Sequence, residues 1–242
     1  MPSSQPALGP ETLGRLALAS TATLTTQLFK RGLRNVFVQG VRRLAAAGPN
    51  MVGPAFTLRY IPAREDLDRL EVFQNPQMPQ RRAIEAAPAG SVLVMDCRGE
   101  TRAACAGSIL VARLAVRGVA GLVADGGIRD SAEIAHTGFP VFCAGASAPL
   151  NLVAHHAVDL DVPIACGGVA VYPGDVVVGD ADGVVIVPRH LADDVAGDAA
   201  EQERLEEFLL AEIRRGVALP GTYPPNAETL ARYDAWRRSR GT

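Results

Sequence analysis

Apolar residues along this chain form two patterns, short continuous runs and runs at helical spacing, and the two patterns alternate. Residues 91–96 and 119–124 each contain a continuous apolar stretch of the length of a strand that is buried on both faces. Between them, residues 107–116 place apolar side chains on one helical face, and Gly118 follows as a helix stop. This alternation of strand and helix predicts an α/β fold.

Glycine and proline divide the rest of the chain into further segments. The predicted helices cover residues 10–19, 21–31, 81–87, a segment beginning near 131, and 190–214, with a shorter helix after 62–65. The predicted strands cover 51–61, 139–142 and a β-branched run from 169 to 188, in which Asp182-Gly183 indicates a hairpin. In the tail from 216 to 242 we expect three aromatic residues to pack on this domain or on a neighbouring subunit, namely Tyr223, Tyr233 and Trp236.

Composition narrows the class of protein. The chain has 242 residues, 48% of them hydrophobic, which is enough for one large domain core with appended segments. Its net charge of −2 offers no electrostatic footprint for nucleic acid, and no apolar run approaches the roughly 20 residues that span a bilayer. The N-terminus lacks the cationic and apolar segments of a secretion signal. We therefore expect a cytoplasmic, enzyme-like protein with neither nucleic-acid nor membrane partners.

Two residue types limit the possible chemistry. The four cysteines show no C-x-x-C spacing, so we interpret them as buried thiols, although Cys166 with His155 and His156 leaves a Cys–His nucleophile pair as an alternative. Only one of the 24 lysine and arginine residues is a lysine, Lys30, and its position near a helix end beside Arg31 predicts exposure to solvent. Because a Schiff-base lysine needs a desolvated pocket, carbonyl chemistry here would depend on a metal instead.

The segment from Asp125 to Asp130, Asp-Gly-Gly-Ile-Arg-Asp, follows the second buried strand and is the most informative motif of the chain. Open α/β sheets bind their ligands at the carboxyl ends of strands. Aspartate is a hard oxygen ligand for Mg²⁺ or Mn²⁺, and Arg129 offers a planar fork that matches a carboxylate. The segment therefore predicts a site for a divalent metal and an acidic small molecule.

The helix that begins at Gly107 should reach the same edge of the sheet. The helix spans about 16 Å and the strand about 20 Å, and a tight turn joins them, so the helix start lies beside the strand exit. Helix starts present unpaired N–H groups that suit a carboxylate. We therefore expect one end of a bound acid to contact three amides and the other to contact Arg129 and a metal held by Asp130. The three amides belong to Ser108, Ile109 and Leu110.

A purely structural explanation of the motif stays open at this point. Asp130 and Glu133 form the D-x-x-E pattern of a capping box, in which Asp130 would only start the next helix. Arg129 would then be a surface residue that pairs with Asp125. The double glycine 126–127 ahead of an Arg-Asp pair, at a strand end that faces a helix start, favours the functional interpretation.

These motifs together resemble the RraA-like family. That family includes 4-hydroxy-4-methyl-2-oxoglutarate aldolases and the regulator of ribonuclease E activity, and the aldolases also decarboxylate oxaloacetate. The resemblance implies a single domain over residues 1–242, with a core of about 20–190 and a C-terminal helix and tail at 190–242. The D-G-x-x-R-D element is its most specific part. The segments that carry it are 51–57, 92–96, 107–121, 125–130, 138–142, 173–175 and 182–184.

The resemblance implies a layered α/β/β sandwich like a phosphohistidine swivelling domain, with helical N- and C-terminal extensions. It also implies a homotrimer, or a hexamer made of two trimers, with sites at the subunit boundaries. In the aldolases the position matching Asp130 anchors Mg²⁺ largely through waters, and the position matching Arg129 binds the 2-oxo acid. Backbone amides matching Gly107 to Leu110 hold the carboxylate of that acid.

One position departs from the aldolase pattern. Ser108 stands where aldolases usually carry Glu or Asp, which affects the expected water network around the metal. An acidic residue on the long helix of a neighbouring subunit also contributes in the aldolases, and this chain offers three candidates, Glu201, Glu203 and Glu206.

The expected function is a lyase that depends on Mg²⁺ or Mn²⁺ and cleaves a hydroxylated 2-oxo acid to pyruvate and a carbonyl product, with oxaloacetate decarboxylation as a side activity. Arg129, Asp130 and Asp125 are the expected catalytic residues, and a water linked to Asp130, or Asp125 itself, would remove the hydroxyl proton. The alternative is a non-catalytic regulator that binds and inhibits a ribonuclease. The intact Arg129-Asp130 pair favours catalysis, whereas Ser108 weakens that case.

Overall fold

The structure, a computed structural model, describes residues 8–240. The helices are Pro10–Leu18 (α1), Thr21–Lys30 (α2), Pro79–Ala86 (α3), Ser108–Val116 (α4), Ser131–His136 (α5), Ala192–Arg214 (α6) and Ala227–Ser239 (α7). The strands are Arg42–Arg43 (β1), Met51–Pro62 (β2), Val92–Asp96 (β3), Ala104–Ala106 (β4), Gly121–Ile128 (β5), Val141–Ala146 (β6), His155–Leu160 (β7), Ile164–Cys166 (β8), Val169–Val171 (β9), Val176–Gly179 (β10) and Val184–Val187 (β11). Short 3₁₀ turns cover Leu70–Gln74, Asn151–Val153 and Arg189–Leu191.

The main sheet has the strand order β1-β6-β5-β3-β2-β10-β11, with β4 added beside β5 and β7 beside β2. Its centre is parallel, because β2, β3, β5 and β6 all run in the same direction. The β10–β11 hairpin is antiparallel and turns between Gly179 and Val184, which confirms the hairpin predicted from Asp182-Gly183. Strands β8 and β9 form a separate two-stranded sheet.

Alternating side chains of the central strands build two cores on opposite faces of the sheet. Leu93 and Met95 of β3 pack with α3, α4 and α5, whereas Val92 and Val94 pack with the β8–β9 hairpin and β10–β11. A helical layer, a sheet and a second β layer therefore lie in sequence. This arrangement confirms the predicted layered α/β/β fold.

Helical segments flank this core at both ends of the described chain. Helices α1, α2 and α6 cover the outer face of the β10–β11 hairpin. The tail contains α7, which the sequence did not predict as a helix, and its Tyr233 and Trp236 pack on Phe208 of α6. The expectation that the tail packs on this domain is thus correct for these two residues, whereas Tyr223 is 60% exposed and its packing on a neighbouring subunit stays a prediction.

Several boundaries differ from the prediction. Strand β5 continues through residues 125–128, which we had predicted as a loop, and β6 starts and ends later than 139–142. The helix expected after 62–65 is a 3₁₀ turn at Leu70–Gln74. Strands β1, β4, β7 and β8 were missed. Among the helices between residues 8 and 240, none combines the length and apolar character needed to cross a membrane.

Candidate functional site

The exit of β5 and the start of α4 meet, as the length argument predicted. Ile128 ends β5 beside Ala106 of β4, and the N–H of Arg129 donates to the carbonyl oxygen of Ala106 at 3.1 Å. Strand β4 leads through Gly107 directly into α4. The short β4 strand therefore fixes the helix start next to Arg129 and Asp130.

Asp130 does not have the geometry of a capping residue. Its backbone is left-handed, with φ of 56° and ψ of 34°, and its side chain accepts no hydrogen bond from the start of α5. This conformation costs an aspartate on the order of 1 kcal/mol. Instead, Oδ2 accepts the N–H of Ser108 across the site at 3.1 Å. The capping-box explanation is therefore wrong for this side chain, which points at the start of α4.

The carboxylate of Asp130 is held in its charged form. The N–H of Ser108 is the main reason that the pKa of Asp130 lies below its ordinary value, and the positive charge of Arg129 adds to the effect. Arg129 Nε lies 3.6 Å from Asp130 Oδ1, and the two side chains are 47% and 37% exposed. The structure thus presents an ionised carboxylate and a guanidinium side by side, both accessible to a ligand.

Gly107 is necessary for this approach. Its backbone is extended, so the residue is not there for an unusual dihedral angle. A Cβ atom at this position would lie 2.7 Å from Asp130 Oδ2 and 2.8 Å from Arg129 Cγ. Any side chain here would push both functional groups away from the start of α4.

A cavity of about 590 Å³ opens at this point. Five of the predicted residues line it, namely Gly107, Ile109, Leu110, Arg129 and Asp130. The first-turn N–H groups of Ile109 and Leu110 meet no acceptor among residues 8–240 and stay available to an anion. Ser108 departs from the expectation, because its N–H is already bonded to Asp130.

Asp125 does not belong to this cavity, and its predicted catalytic role finds no support in the geometry. It is buried within β5 and accepts N–H groups from Cys97 at 2.6 Å, Gly99 at 3.1 Å and Gly167 at 3.1 Å. A carboxylate with three backbone donors from two other segments holds those segments together. The Asp125–Arg129 pair of the purely structural alternative is also wrong, since the ion-pair partner of Arg129 is Asp130.

The donor set suits a divalent cation that keeps most of its water ligands. No cluster of three or more His, Cys, Asp or Glu side chains with metal-binding geometry occurs within residues 8–240. The site offers the Asp130 carboxylate, whose side chain is 37% exposed. Mg²⁺ dehydrates reluctantly and commonly binds through one or two carboxylates while it keeps several waters. The residues present therefore fit a largely hydrated Mg²⁺ or Mn²⁺ at Asp130.

The three acidic candidates on α6 lie away from the cavity of their own chain. Glu201 accepts the hydroxyl of Tyr233 at 2.9 Å, and Glu203 accepts the N–H of Ser20 at 2.8 Å. Glu206 accepts a hydrogen bond from the Gln202 side chain at 2.8 Å. A role for any of them in the cavity of a neighbouring subunit stays a prediction.

The Cys–His alternative fails on geometry, and the buried-thiol interpretation is confirmed. All four cysteines are free and buried. Cys166 Sγ has the Met95 carbonyl as its polar neighbour, while His155 Nε2 lies 3.3 Å from the carbonyl of Ala103. Burial raises the pKa of Cys166 well above its ordinary value, which disfavours a thiolate nucleophile. Lys30 is exposed, as predicted.

Sequence reasoning missed the inner wall of the cavity, which includes Gln80 and Asn151. A signal for Gln80 existed, since it shares one face of α3 with the buried Ala83 and Ile84, where an apolar residue is expected. Asn151 had no local signal, because its position depends on the path of the chain after β6.

Comparison with known proteins identifies consistent relatives. Residues 21–186 match the protein-family model described as RraA-like, Aldolase/RraA. A Halalkalibacterium halodurans protein with the provisional name 4-hydroxy-4-methyl-2-oxoglutarate aldolase is 34% identical over 157 residues, which cover 65% of this chain and 69% of the relative.

Two solved structures resemble the whole fold. Streptomyces coelicolor RraAS2, described as an unusual member of the RNase ES inhibitor RraA protein family, is 33% identical with a TM-score of 0.73, over 84% of this chain and 98% of that one. An uncharacterized protein from Pseudomonas syringae pv. tomato is 25% identical with a TM-score of 0.78, over 90% of this chain and all of that one.

Proposed function

The chain belongs to the RraA-like family, and from that premise we propose that it is a divalent-metal-dependent lyase that cleaves a hydroxylated 2-oxo acid into pyruvate and a carbonyl product. The observation that carries the proposal is the pairing of Arg129 and Asp130 at the mouth of a cavity whose wall is the start of α4. The provisional name of the Halalkalibacterium halodurans relative, a 4-hydroxy-4-methyl-2-oxoglutarate aldolase, supports the choice of substrate.

In this proposal the C1 carboxylate and the adjacent 2-oxo group of the acid both meet hydrogen-bond donors. The N–H groups of Ile109 and Leu110 bind the C1 carboxylate, and the dipole of α4 favours the negative charge there. The guanidinium of Arg129 contacts the 2-oxo group, where negative charge develops during the reaction. Asp130 holds the cation, and a bound Mg²⁺ or Mn²⁺ supplies Lewis acidity to the reaction.

Cleavage breaks the C3–C4 bond of the substrate. The C4 hydroxyl loses its proton and becomes a carbonyl, while the electron pair of the broken bond stays on the pyruvate enolate, which then takes a proton at C3. Because the pKa of Asp130 is lowered, this carboxylate is a weak base and is better suited to holding a cation than to keeping a proton. We assign the proton transfer to a water molecule beside Asp130. Decarboxylation of oxaloacetate leads to the same enolate and needs no base.

The test is pyruvate release from 4-hydroxy-4-methyl-2-oxoglutarate and from oxaloacetate, followed with lactate dehydrogenase. We expect release with Mg²⁺ or Mn²⁺, loss of release on chelation, and recovery when the ion is restored. Asp130→Ala should lose the activity, whereas Glu133→Ala, which removes an exposed carboxylate on neighbouring α5, should keep it. A rate that chelation leaves unchanged would contradict the proposal.

A second candidate is regulation of a ribonuclease, favoured by the similarity to Streptomyces coelicolor RraAS2. Affinity purification with the intact chain as bait distinguishes the two. Capture and inhibition of a ribonuclease, with no turnover of 2-oxo acids, would favour the regulatory function over the lyase function.

We also propose that the chain assembles as a homotrimer or as a hexamer. Ile109, Ala112 and Val116 form an exposed apolar stripe on α4 beside the cavity, and Ile109 and Val116 are 82% and 79% exposed. An apolar stripe at the rim of a site supports cover by a neighbouring subunit. Light scattering should give a mass three or six times 25.4 kDa, and Val116→Asp should lower it. A monomeric mass for the native protein would contradict this assembly.

A further inference from the structure

The inner wall of the cavity contains a hydrogen-bond acceptor without a donor. Gln80 on α3 is 2% exposed, and its Nε2 donates to the carbonyl oxygen of Cys105 at 2.6 Å. Because a carbonyl oxygen can only accept, this bond fixes the orientation of the amide and leaves Oε1 facing away from it. No donor among residues 8–240 reaches Gln80 Oε1, although the atom is fully buried.

A second buried amide in the same cavity has a hydrogen-bond donor without an acceptor. Asn151, in the 3₁₀ turn between β6 and β7, is 5% exposed, and its Nδ2 atom has no acceptor within the described part of the chain. Orphaned polar atoms are rare in folded proteins and call for a specific explanation. Gln80 and Asn151, the residues that carry these two atoms, both line the cavity that also contains Arg129 and Asp130.

The surroundings of the two amides indicate the chemistry of the missing partner. Three apolar side chains, Phe73, Ile84 and Leu150, line the cavity together with the two amides, and the charged Arg81, Glu85 and Arg113 complete this part of the lining. An aliphatic group fits the apolar side chains, and a hydroxyl on it both donates one hydrogen bond and accepts another. A carboxylate would satisfy Asn151 Nδ2 but would repel Gln80 Oε1, and an ammonium group would do the reverse. A hydroxyl has the hydrogen-bonding capacity that matches both atoms, because it donates to the oxygen and accepts from the nitrogen.

We propose that Gln80 and Asn151 are specificity-determining residues that bind a hydroxyl group beyond C4 of the substrate, so that the preferred substrates are polyhydroxylated 2-oxo acids whose carbonyl product keeps a hydroxyl. This inference rests on the proposed lyase function. The C4 hydroxyl itself is not this group, because it must lose its proton near Asp130, and an amide oxygen is too weak a base to take it.

A matched pair of substrates tests the inference. The compounds 4,5,6-trihydroxy-2-oxohexanoate and 4-hydroxy-2-oxohexanoate share a carbon chain and a cleaved bond and differ only in the two hydroxyls beyond C4. For the native protein we expect kcat/KM to be about 10-fold or more higher for the trihydroxy acid, since a site with buried polar groups discriminates against a ligand that leaves them unpaired.

Two variants assign that preference to the amides. Asn151→Leu and Gln80→Met should each lower the ratio of the two kcat/KM values toward one. Gln77→Met, at an exposed glutamine just before α3, should keep the native ratio. The thermal midpoint separates recognition from folding. Since Asn151 Nδ2 has no partner among residues 8–240, Asn151→Leu should not lower the midpoint, whereas Gln80→Met removes the bond to Cys105 and should lower it.

The outcomes for the inference and for the proposed function are distinct. Pyruvate formation with a native ratio near one, or with a ratio that Asn151→Leu leaves unchanged, would overturn the hydroxyl subsite and leave the lyase function standing. No pyruvate from either acid, from 4-hydroxy-4-methyl-2-oxoglutarate or from oxaloacetate would remove the lyase function and the subsite with it.

Discussion

Gly107 and Asp130 lie so close together that a single methyl group on the glycine would come within 2.7 Å of the Oδ2 atom of the aspartate. The missing side chain lets the carboxylate reach the N–H of Ser108 at 3.1 Å. The same space accommodates the stem of Arg129, whose Cγ would lie 2.8 Å from that methyl group. One small residue at the entry to α4 thus sets the positions of the two charged groups of the site.

Gly107→Ala should therefore impair activity without unfolding the protein. The backbone at Gly107 is extended and tolerates alanine, and the atoms that must shift belong to two half-exposed side chains. Small displacements of catalytic groups commonly cost about 10²-fold in rate, so we expect a loss of that order in kcat/KM and an unchanged thermal midpoint. The control is Gly14→Ala, where alanine meets open space on α1 and should raise stability by about 0.5–1 kcal/mol. Full activity of Gly107→Ala would show that the close contact is unimportant.

Arg129→Lys should lower activity although the positive charge is kept. Lysine is a point charge and lacks the planar fork that binds two oxygen atoms at once. We expect kcat/KM for oxaloacetate decarboxylation to fall roughly 10²-fold. Steady-state kinetics provide the measurement, with Arg82→Lys, at an exposed residue of α3, as the control for the same exchange. Equal rates for Arg129→Lys and the native protein would leave Arg129 without a role in the chemistry.

The parts of this site that the sequence predicted depend on local patterns. Helix 107–116 and the strand that starts near 119 follow one another directly, so their lengths place Gly107 and Asp130 at the same edge of the sheet. The unpredicted β4 then fixes the contact between them. The extent of β5 was misjudged because Gly126 and Gly127 are typical of loops. In the structure they lie under Cys97 and Ser147, where a Cβ atom would approach within 2.6 and 2.5 Å.

The parts that the sequence could not predict depend on contacts between distant segments. The donors that surround Asp125 come from Cys97, Gly99 and Gly167, and nothing in the residues next to Asp125 indicates them. An aspartate at the end of a strand has the same local sequence pattern whether its side chain faces a ligand or an interior loop. Gln80 and Asn151 likewise reach one cavity from elements 71 positions apart in the chain.

Asp125→Asn should destabilise the protein without affecting the chemistry. Asparagine replaces one acceptor oxygen by an NH₂ group, which faces a backbone N–H and leaves it unpaired. The expected loss is about 1–3 kcal/mol in the free energy of unfolding, measured by urea denaturation. The folded fraction should keep the native kcat/KM. Asp182→Asn is the control, because Asn-Gly suits the β10–β11 turn as well as Asp-Gly does. A large loss of kcat/KM at native stability would restore the catalytic role of Asp125.

The pKa of Asp130 in the metal-free protein should depend on the contact between its carboxylate and the N–H of Ser108. Its pKa is lowered, first because it accepts the N–H of Ser108 and next because of the charge of Arg129. A carboxylate with a lowered pKa stays ionised as the pH falls through the ordinary aspartate value of about 3.9 and takes up its proton only below it. Carbon-13 NMR of the carboxyl group, with chelator present, should place the native midpoint below that value.

Gly107→Ala pushes the carboxylate away from the Ser108 N–H, so its midpoint should move to higher pH, toward the ordinary value. Ser108→Ala keeps the backbone N–H and removes only the hydroxyl, so its midpoint should stay closer to the native one. Both comparisons are made over the pH range in which circular dichroism reports the native fold. A native midpoint at or above the ordinary value, or no difference between Gly107→Ala and Ser108→Ala, would mean that the backbone donor does not control the charge of Asp130.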